Sequence, residues 1–163
     1  MTLPQQVQFN LNIKQKPIQG KALPHIFIVD DDIDLLEELK EGLSLKYNVE
    51  ILSNSSQAFD TVYESKPDLM VLDIKMSPKT GFQLANEFSN FEGTKYIPII
   101  AITGVYVEKE HPLMKLFNMK HIIIKPFSLE KIDEKIEAVL KELKLSKQKK
   151  ENDEEGRLPK KRW

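Results

Sequence analysis

The chain has 163 residues, of which 40% are hydrophobic and 30% charged, and its formal net charge is −1. That length fits one domain with tails, and so even a charge balance gives no global field toward nucleic acid or a membrane surface. No cysteine is present, which excludes disulfides and thiolate metal sites, and no apolar run approaches the ~20 residues of a membrane span.

Residues 1–23 form a polar N-terminal extension rich in Gln, Asn and Lys, with no apolar segment of signal-peptide length. The expected location is therefore the cytoplasm. Within the extension, residues 7–14 alternate apolar and polar, from Val7 to Lys14. That is the pattern of a half-buried strand, which would add to a sheet edge or pair with a second chain as a homodimer. The competing reading is a flexible leader.

Residues 24–145 hold nearly all the apolar runs. The first strand is expected at Ile26–Val29 and runs into Asp30-Asp31-Asp32. A helix follows from about Ile33 to Lys46, with Leu35, Leu36, Leu39 and Leu43 on one stripe. The second strand is Val49–Leu52. Its helix is expected to be capped by Ser55-Ser56 and to carry Ala58, Phe59, Val62 and Tyr63. The third strand, Leu69–Leu72, ends in Asp73. The third helix begins near Thr80-Gly81 and buries Phe82, Leu84, Ala85 and Phe88. The fourth strand, Ile97–Ile102, ends in Thr103, and the fourth helix pattern, Glu108–Asn118, is interrupted by Pro112. The fifth strand, His121–Ile124, ends in Lys125-Pro126. The last helix starts at Ser128, places Ile132, Ile136, Val139, Leu140 and Leu143 on one face, and reaches about Lys150. Residues 146–163 are a charged tail expected to be disordered. From Lys144 onward eight basic residues face four acidic ones. Solvation is the ordinary role of such a tail, and contact with nucleic acid or an acidic partner is the minor alternative.

Five strands alternating with helices predict an α/β fold with a parallel sheet covered on both faces. In such sheets the functional crevice lies at the carboxyl ends of the strands. Asp30, Asp31, Asp73, Thr103 and Lys125 all fall there. Ionised Asp is rarely buried unpaired, so carboxylates at two strand tips point to one shared polar site. A hard cation with oxygen ligands holds such groups together, and Mg²⁺ suits a site of few protein oxygens and several waters. A carboxylate can also attack phosphorus to form an acyl phosphate. Lys125 would neutralise a phosphoryl oxygen, and the Thr103 hydroxyl would donate to another. The chemistry indicated is phosphoryl transfer onto Asp73. Taken singly, each feature has a plainer role: Asp30–Asp32 as helix caps, Thr103 as a structural hydroxyl, Lys125 as a solvated cation. Asp32 is expected to cap in any case. The three histidines, His25, His111 and His121, have no metal-ligand spacing, and no P-loop or dinucleotide fingerprint is present.

These pieces, in order, resemble the receiver domain of two-component response regulators. The matching segments are Val29-Asp30-Asp31-Asp32, Pro67 through Met76 around Asp73, Gly81, Ile97 through Thr103, and Lys125-Pro126-Phe127. The resemblance implies a flavodoxin-like (βα)5 fold with strand order 2-1-3-4-5. It implies that Asp73 is the phosphoacceptor, fed by a sensor histidine kinase or a phosphotransfer protein. Mg²⁺ would be held by Asp30, Asp31, Asp73 and the backbone carbonyl of Lys75. Thr103 and Lys125 would bind the phosphoryl group, and the Lys125–Pro126 bond would be cis. The chain would not be an enzyme beyond assisting its own phosphorylation and dephosphorylation. It would act as a stand-alone receiver that signals to a downstream protein by contact, with no membrane or nucleic-acid partner expected.

Four departures from the family pattern stand out. Ser77 takes the place of a usual Pro, with Pro78 one residue later. Gly104 follows the switch Thr103 in place of a small Ala. Ile122 stands where many receivers carry an aromatic, and Phe117-Asn118-Met119-Lys120 replaces a Gly-Ala turn. The site is chemically complete, whereas the usual relay to the last strand and helices is altered. Two alternatives are an intermediate phosphate carrier in a multistep phosphorelay and a phosphorylation-independent binding module. A phosphatase using the same nucleophile ranks below both, because Lys75 stands where a second Asp would be expected.

Overall fold

The computed structural model describes residues 22–105 and 112–155. The strand expected at residues 7–14 lies outside them, as do the first part of the expected fourth helix and the end of the tail.

Five strands form one parallel sheet: β1 (His25–Val29), β2 (Asn48–Leu52), β3 (Leu69–Asp73), β4 (Ile99–Thr103) and β5 (Met119–Ile124). Their order is β2-β1-β3-β4-β5, as the resemblance implies. The helices are α1 (Ile33–Leu43), α2 (Ala58–Ser65), α3 (Gly81–Ser89), α4 (Pro112–Leu116) and α5 (Leu129–Glu155). Side chains alternate along each strand, so the sheet feeds two cores. Ile26, Ile28, Val71, Ile100 and Ile102 pack with Leu36, Leu39 and Leu43 of α1 and Ile132, Ile136 and Val139 of α5. Phe27, Val29, Met70, Leu72 and Ala101 pack with Ala58 and Val62 of α2 and Leu84, Ala85 and Phe88 of α3. Demand from both sides explains why β1, β3 and β4 read as unbroken apolar runs.

Three local differences from the expected elements have physical causes. Ser55-Ser56 does not cap α2. Asn54 accepts from the Ser56 amide at 3.1 Å and starts a short 3-10 turn, Ser55–Gln57, that leads into α2. Ser55 itself is fully buried and bonded elsewhere. The turn before β5 dispenses with glycine because Asn118 takes the left-handed conformation at φ 54°, which Asn tolerates better than most residues. Finally, α5 continues to Glu155, through much of the tail expected to be disordered and past the expected stop near Lys150. Lys147, Lys149 and Lys150 stand four residues before Glu151, Asp153 and Glu154. That spacing supports a solvated helix with no core to bury.

A polar tie joins the connection between α1 and β2 to α5. The Tyr47 hydroxyl donates to Asp133 at 2.8 Å, and Lys46 Nζ lies 2.5 Å from the other oxygen of the same carboxylate. Tyr47 is buried, whereas Lys46 is exposed, so the hydroxyl carries more of the stabilisation. Tyr47→Phe is expected to cost about 1 kcal/mol. Urea melts of the two proteins check this.

Candidate functional site

The site is built where β1, β3, β4 and β5 end. Asp30 follows β1 and is fully buried, Asp73 ends β3 at 3% exposure, and Thr103 ends β4 fully buried. Parallel pairing of β1, β3 and β4 brings these ends side by side. One carboxylate oxygen from each of Asp30, Asp31 and Asp73 lies within 4.8 Å of the other two, and Asp31 is exposed toward solvent.

Each side chain has a local reason for its direction. Asp30 Oδ1 accepts from the Asp32 amide at 2.9 Å, and its Oδ2 accepts from Lys125 Nζ at 2.7 Å. Asp32 caps α1 as expected, accepting from the Leu35 amide at 3.1 Å. Lys125 arrives from the end of β5, where its amide donates to the Thr103 carbonyl at 2.7 Å and its bond to Pro126 is cis. Thr103 Oγ1 accepts from the Val105 amide at 3.2 Å. Asp73 Oδ1 is buried and makes no hydrogen bond, although Lys125 Nζ lies 3.4 Å away.

The electrostatics follow from this crowding. Burial pushes the Asp73 carboxyl above the usual carboxylate range, and the charge of Asp30 adds to the shift while Lys125 opposes it. Burial pulls the Lys125 ammonium down, but its hydrogen bond to Asp30 and the charges of Asp30 and Asp73 outweigh that and leave it raised. One lysine thus serves two buried carboxylates, with Asp31 close by. An unsatisfied carboxylate oxygen among three carboxylates is a donor set that fits a hard divalent cation.

The segment linking β3 to α3 is held tightly. The Ile74 amide donates to the Ile102 carbonyl at 2.8 Å, and the Gly81 amide donates back to the Ile74 carbonyl at 3.1 Å. Thr80 and Gln83 form a reciprocal cap at the start of α3. The departure at Ser77-Pro78 takes the form of a second cis bond between those residues. Lys75, whose carbonyl the resemblance makes a ligand, projects its side chain to solvent. Gly81 is required by close approach: a Cβ there would sit 2.3 Å from the Asp73 carbonyl oxygen and 3.0 Å from Ile74 Cα. Both are backbone atoms and cannot swing away. Gly81→Ala is therefore expected to destabilise by about 2–3 kcal/mol. It should also shift the backbone amide resonances of Asp73 and Ile74, seen in a ¹H–¹⁵N spectrum, more than those of β2.

Sequence reasoning did not find Ser55. The hydroxyl was legible as a cap signal, but nothing in the local pattern says that it faces the loop after Asp73.

The fold and site define a doubly wound α/β domain with an acidic pocket, closed by one lysine, at the carboxyl ends of its strands. Residues 26–137 match the family model described as the response regulator receiver domain, and the chain belongs to that family, the receivers of two-component systems. It is 31% identical over 122 residues to the sensory transduction protein LytT of Enterococcus faecalis, a match covering 73% of this chain and 49% of that protein. It is 33% identical over 132 residues to the transcriptional regulatory protein RprY of Bacteroides fragilis, covering 78% and 53%. The chain thus spans about half the length of these curated relatives. Among solved structures it is similar to the N-terminal domain of the nisin resistance regulator NsrR, with TM-score 0.63, 32% identity and coverage of 72% and 97%. It is also similar to a CheY-like receiver domain protein from Methanospirillum hungatei JF-1, with TM-score 0.70, 25% identity and coverage of 77% and 99%.

Proposed function

We propose that this receiver domain accepts a phosphoryl group on Asp73 from a phosphohistidine of a sensor kinase or phosphotransfer protein. The observation that carries the reading is the buried, unsatisfied Asp73 oxygen beside Asp30, Asp31 and Lys125. A carboxylate oxygen of Asp73 attacks phosphorus, a P–O bond forms, and the P–N bond to the donor imidazole breaks with its electron pair returning to nitrogen. Asp30, Asp31, Asp73 and the Lys75 carbonyl would hold Mg²⁺, which supplies charge neutralisation between the carboxylates and the incoming phosphoryl group. Lys125 pairs with a phosphoryl oxygen through the ammonium it now shares between Asp30 and Asp73. Thr103 gives up its contact with the Val105 amide to meet another. Beyond this self-directed chemistry no enzymatic turnover is assigned.

Phosphorylation places a charge close to −2 at the strand tips and biases a two-state surface toward protein contact. The readout differs from a rotating aromatic. Ile122 is half-buried against the α2–α3 side of the core, and a β-branched chain has restricted χ1. None of the helices among the described residues is long and apolar enough to cross a membrane.

Intact mass after incubation with acetyl phosphate or phosphoramidate tests the reading. A Mg²⁺-dependent gain of ~80 Da, the mass of HPO₃, is expected. No adduct from either donor would favour the phosphorylation-independent binding module.

A further inference from the structure

Ser55 lies on the connection between β2 and α2, 24 residues before Lys79 in the loop that follows Asp73. It is fully buried, and its hydroxyl oxygen accepts from the Lys79 backbone amide at 3.0 Å. Lys79 belongs to the segment 74–80 that leaves the acceptor strand and enters α3. Ile74 anchors one end of that segment and Thr80 the other, as described above. Between them Met76 is buried at 6% exposure in the α2–α3 core, while Lys75, Ser77 and Pro78 are exposed. Lys79 also holds both carboxylate oxygens of Glu87 on α3 at 2.8 Å through its side chain. Its backbone amide has Ser55 as its partner. The Ser55 hydroxyl thus serves a loop amide from a different βα unit, while Asn54 caps the 3-10 turn that leads into α2.

We infer that Ser55 is a positioning residue for the cation site: by holding the Lys79 amide it fixes the 74–80 segment and so presents the Lys75 carbonyl to the metal. The inference rests on the reading of this pocket as a Mg²⁺ site. It also accounts for the displaced proline. With Pro78 one residue late, the Ser77-Pro78 stretch is exposed, and the Ser55 bond secures the segment immediately after it.

The test is Mg²⁺ titration of the full chain by calorimetry or by ¹H–¹⁵N spectra, for wild type, Ser55→Ala and Tyr47→Phe. Tyr47→Phe also loses one buried hydroxyl bond, but on the α1–α5 side of the sheet, and so controls for stability alone. Ser55→Ala is expected to bind Mg²⁺ roughly threefold to tenfold more weakly, the range that one lost hydrogen bond spans. Tyr47→Phe should bind as wild type does. Hydrogen exchange at the Lys79 amide should be slow in metal-free wild type and at least about tenfold faster in Ser55→Ala. Equal Mg²⁺ affinity for wild type and Ser55→Ala would overturn the inference while leaving the metal site intact. An unprotected Lys79 amide in wild type would overturn it without any variant. A wild type that binds no Mg²⁺ would remove the functional reading itself and this assignment with it.

Discussion

Asp73→Asn is expected to take up no phosphoryl group from acetyl phosphate, where wild type gains ~80 Da. The amide lacks the nucleophilic carboxylate, and no neighbouring carboxylate replaces it: Asp30 is occupied by Lys125 and the Asp32 amide, and Asp31 is exposed. The same variant should be more stable than wild type when metal-free. Burial and the adjacent Asp30 raise the Asp73 carboxyl, so the folded protein holds that proton more tightly than the unfolded chain, where the value is about 3.9. The contribution of this group is therefore full below the unfolded value and is lost as pH rises through the folded one. At neutral pH the charge is a burden, and relieving one like-charge contact is worth on the order of 1 kcal/mol. In EDTA that should raise Tm by about 3 °C. Saturating Mg²⁺ should reverse the order, because ligand at about 100 times its Kd adds about 2.7 kcal/mol to a protein that binds it. Thermal melts of both proteins with EDTA and with Mg²⁺ check the crossing. A variant less stable than wild type in both media would show that Asp73 is held chiefly by structure.

Lys125→Met should be the most destabilising single change at the site, at about 3 kcal/mol in EDTA. Asp30 has no exposed surface, and Lys125 is the cation that bonds it. Removing the partner leaves an uncompensated buried charge with Asp73 beside it, a larger loss than the pair itself is worth. Two rescues follow. Mg²⁺ should return part of the stability, since it brings positive charge to the same carboxylates. Acid should do so as well: the Asp73 carboxyl lies above the usual carboxylate range, and its protonation removes one of the charges that Lys125 balances, so the gap from wild type should narrow as pH falls into the carboxylate range. Denaturant melts between neutral and acidic pH measure it. A gap that neither Mg²⁺ nor acid changes would mean that Lys125 acts through packing of its methylenes.

The apolar runs of β1, β3 and β4 and the polar residues that end them are legible in the chain because these central strands are buried on both faces and a carboxylate or hydroxyl interrupts each run. Asp30, Asp73, Thr103 and Lys125 could be read as one constellation for that reason, before any distance was known. The strand order came from the resemblance and not from periodicity, which carries no information about neighbours. Helix ends are less legible in the chain. Ser55 is a good cap by type, but Asn54 is equally good, and the choice between them depends on the Lys79 amide across the fold. The far end of α5 is not legible from apolar periodicity, because it buries no core; its i, i+4 charge spacing is what favours helix there.

The sequence by itself determined the α/β class, the two-sided sheet and the set of residues at its carboxyl edge. These follow from local chemistry: which side chains leave water, and where a charge interrupts them. Tertiary structure alone decided which charges touch. It put Lys125 on Asp30 at 2.7 Å and left an Asp73 oxygen without a hydrogen bond. It also pressed Gly81 against the Asp73 carbonyl and tied Ser55 to Lys79. The physical reason is that such contacts join residues far apart in the chain. Their geometry is set by how parallel strands and helices pack, and no local pattern of side chains encodes it.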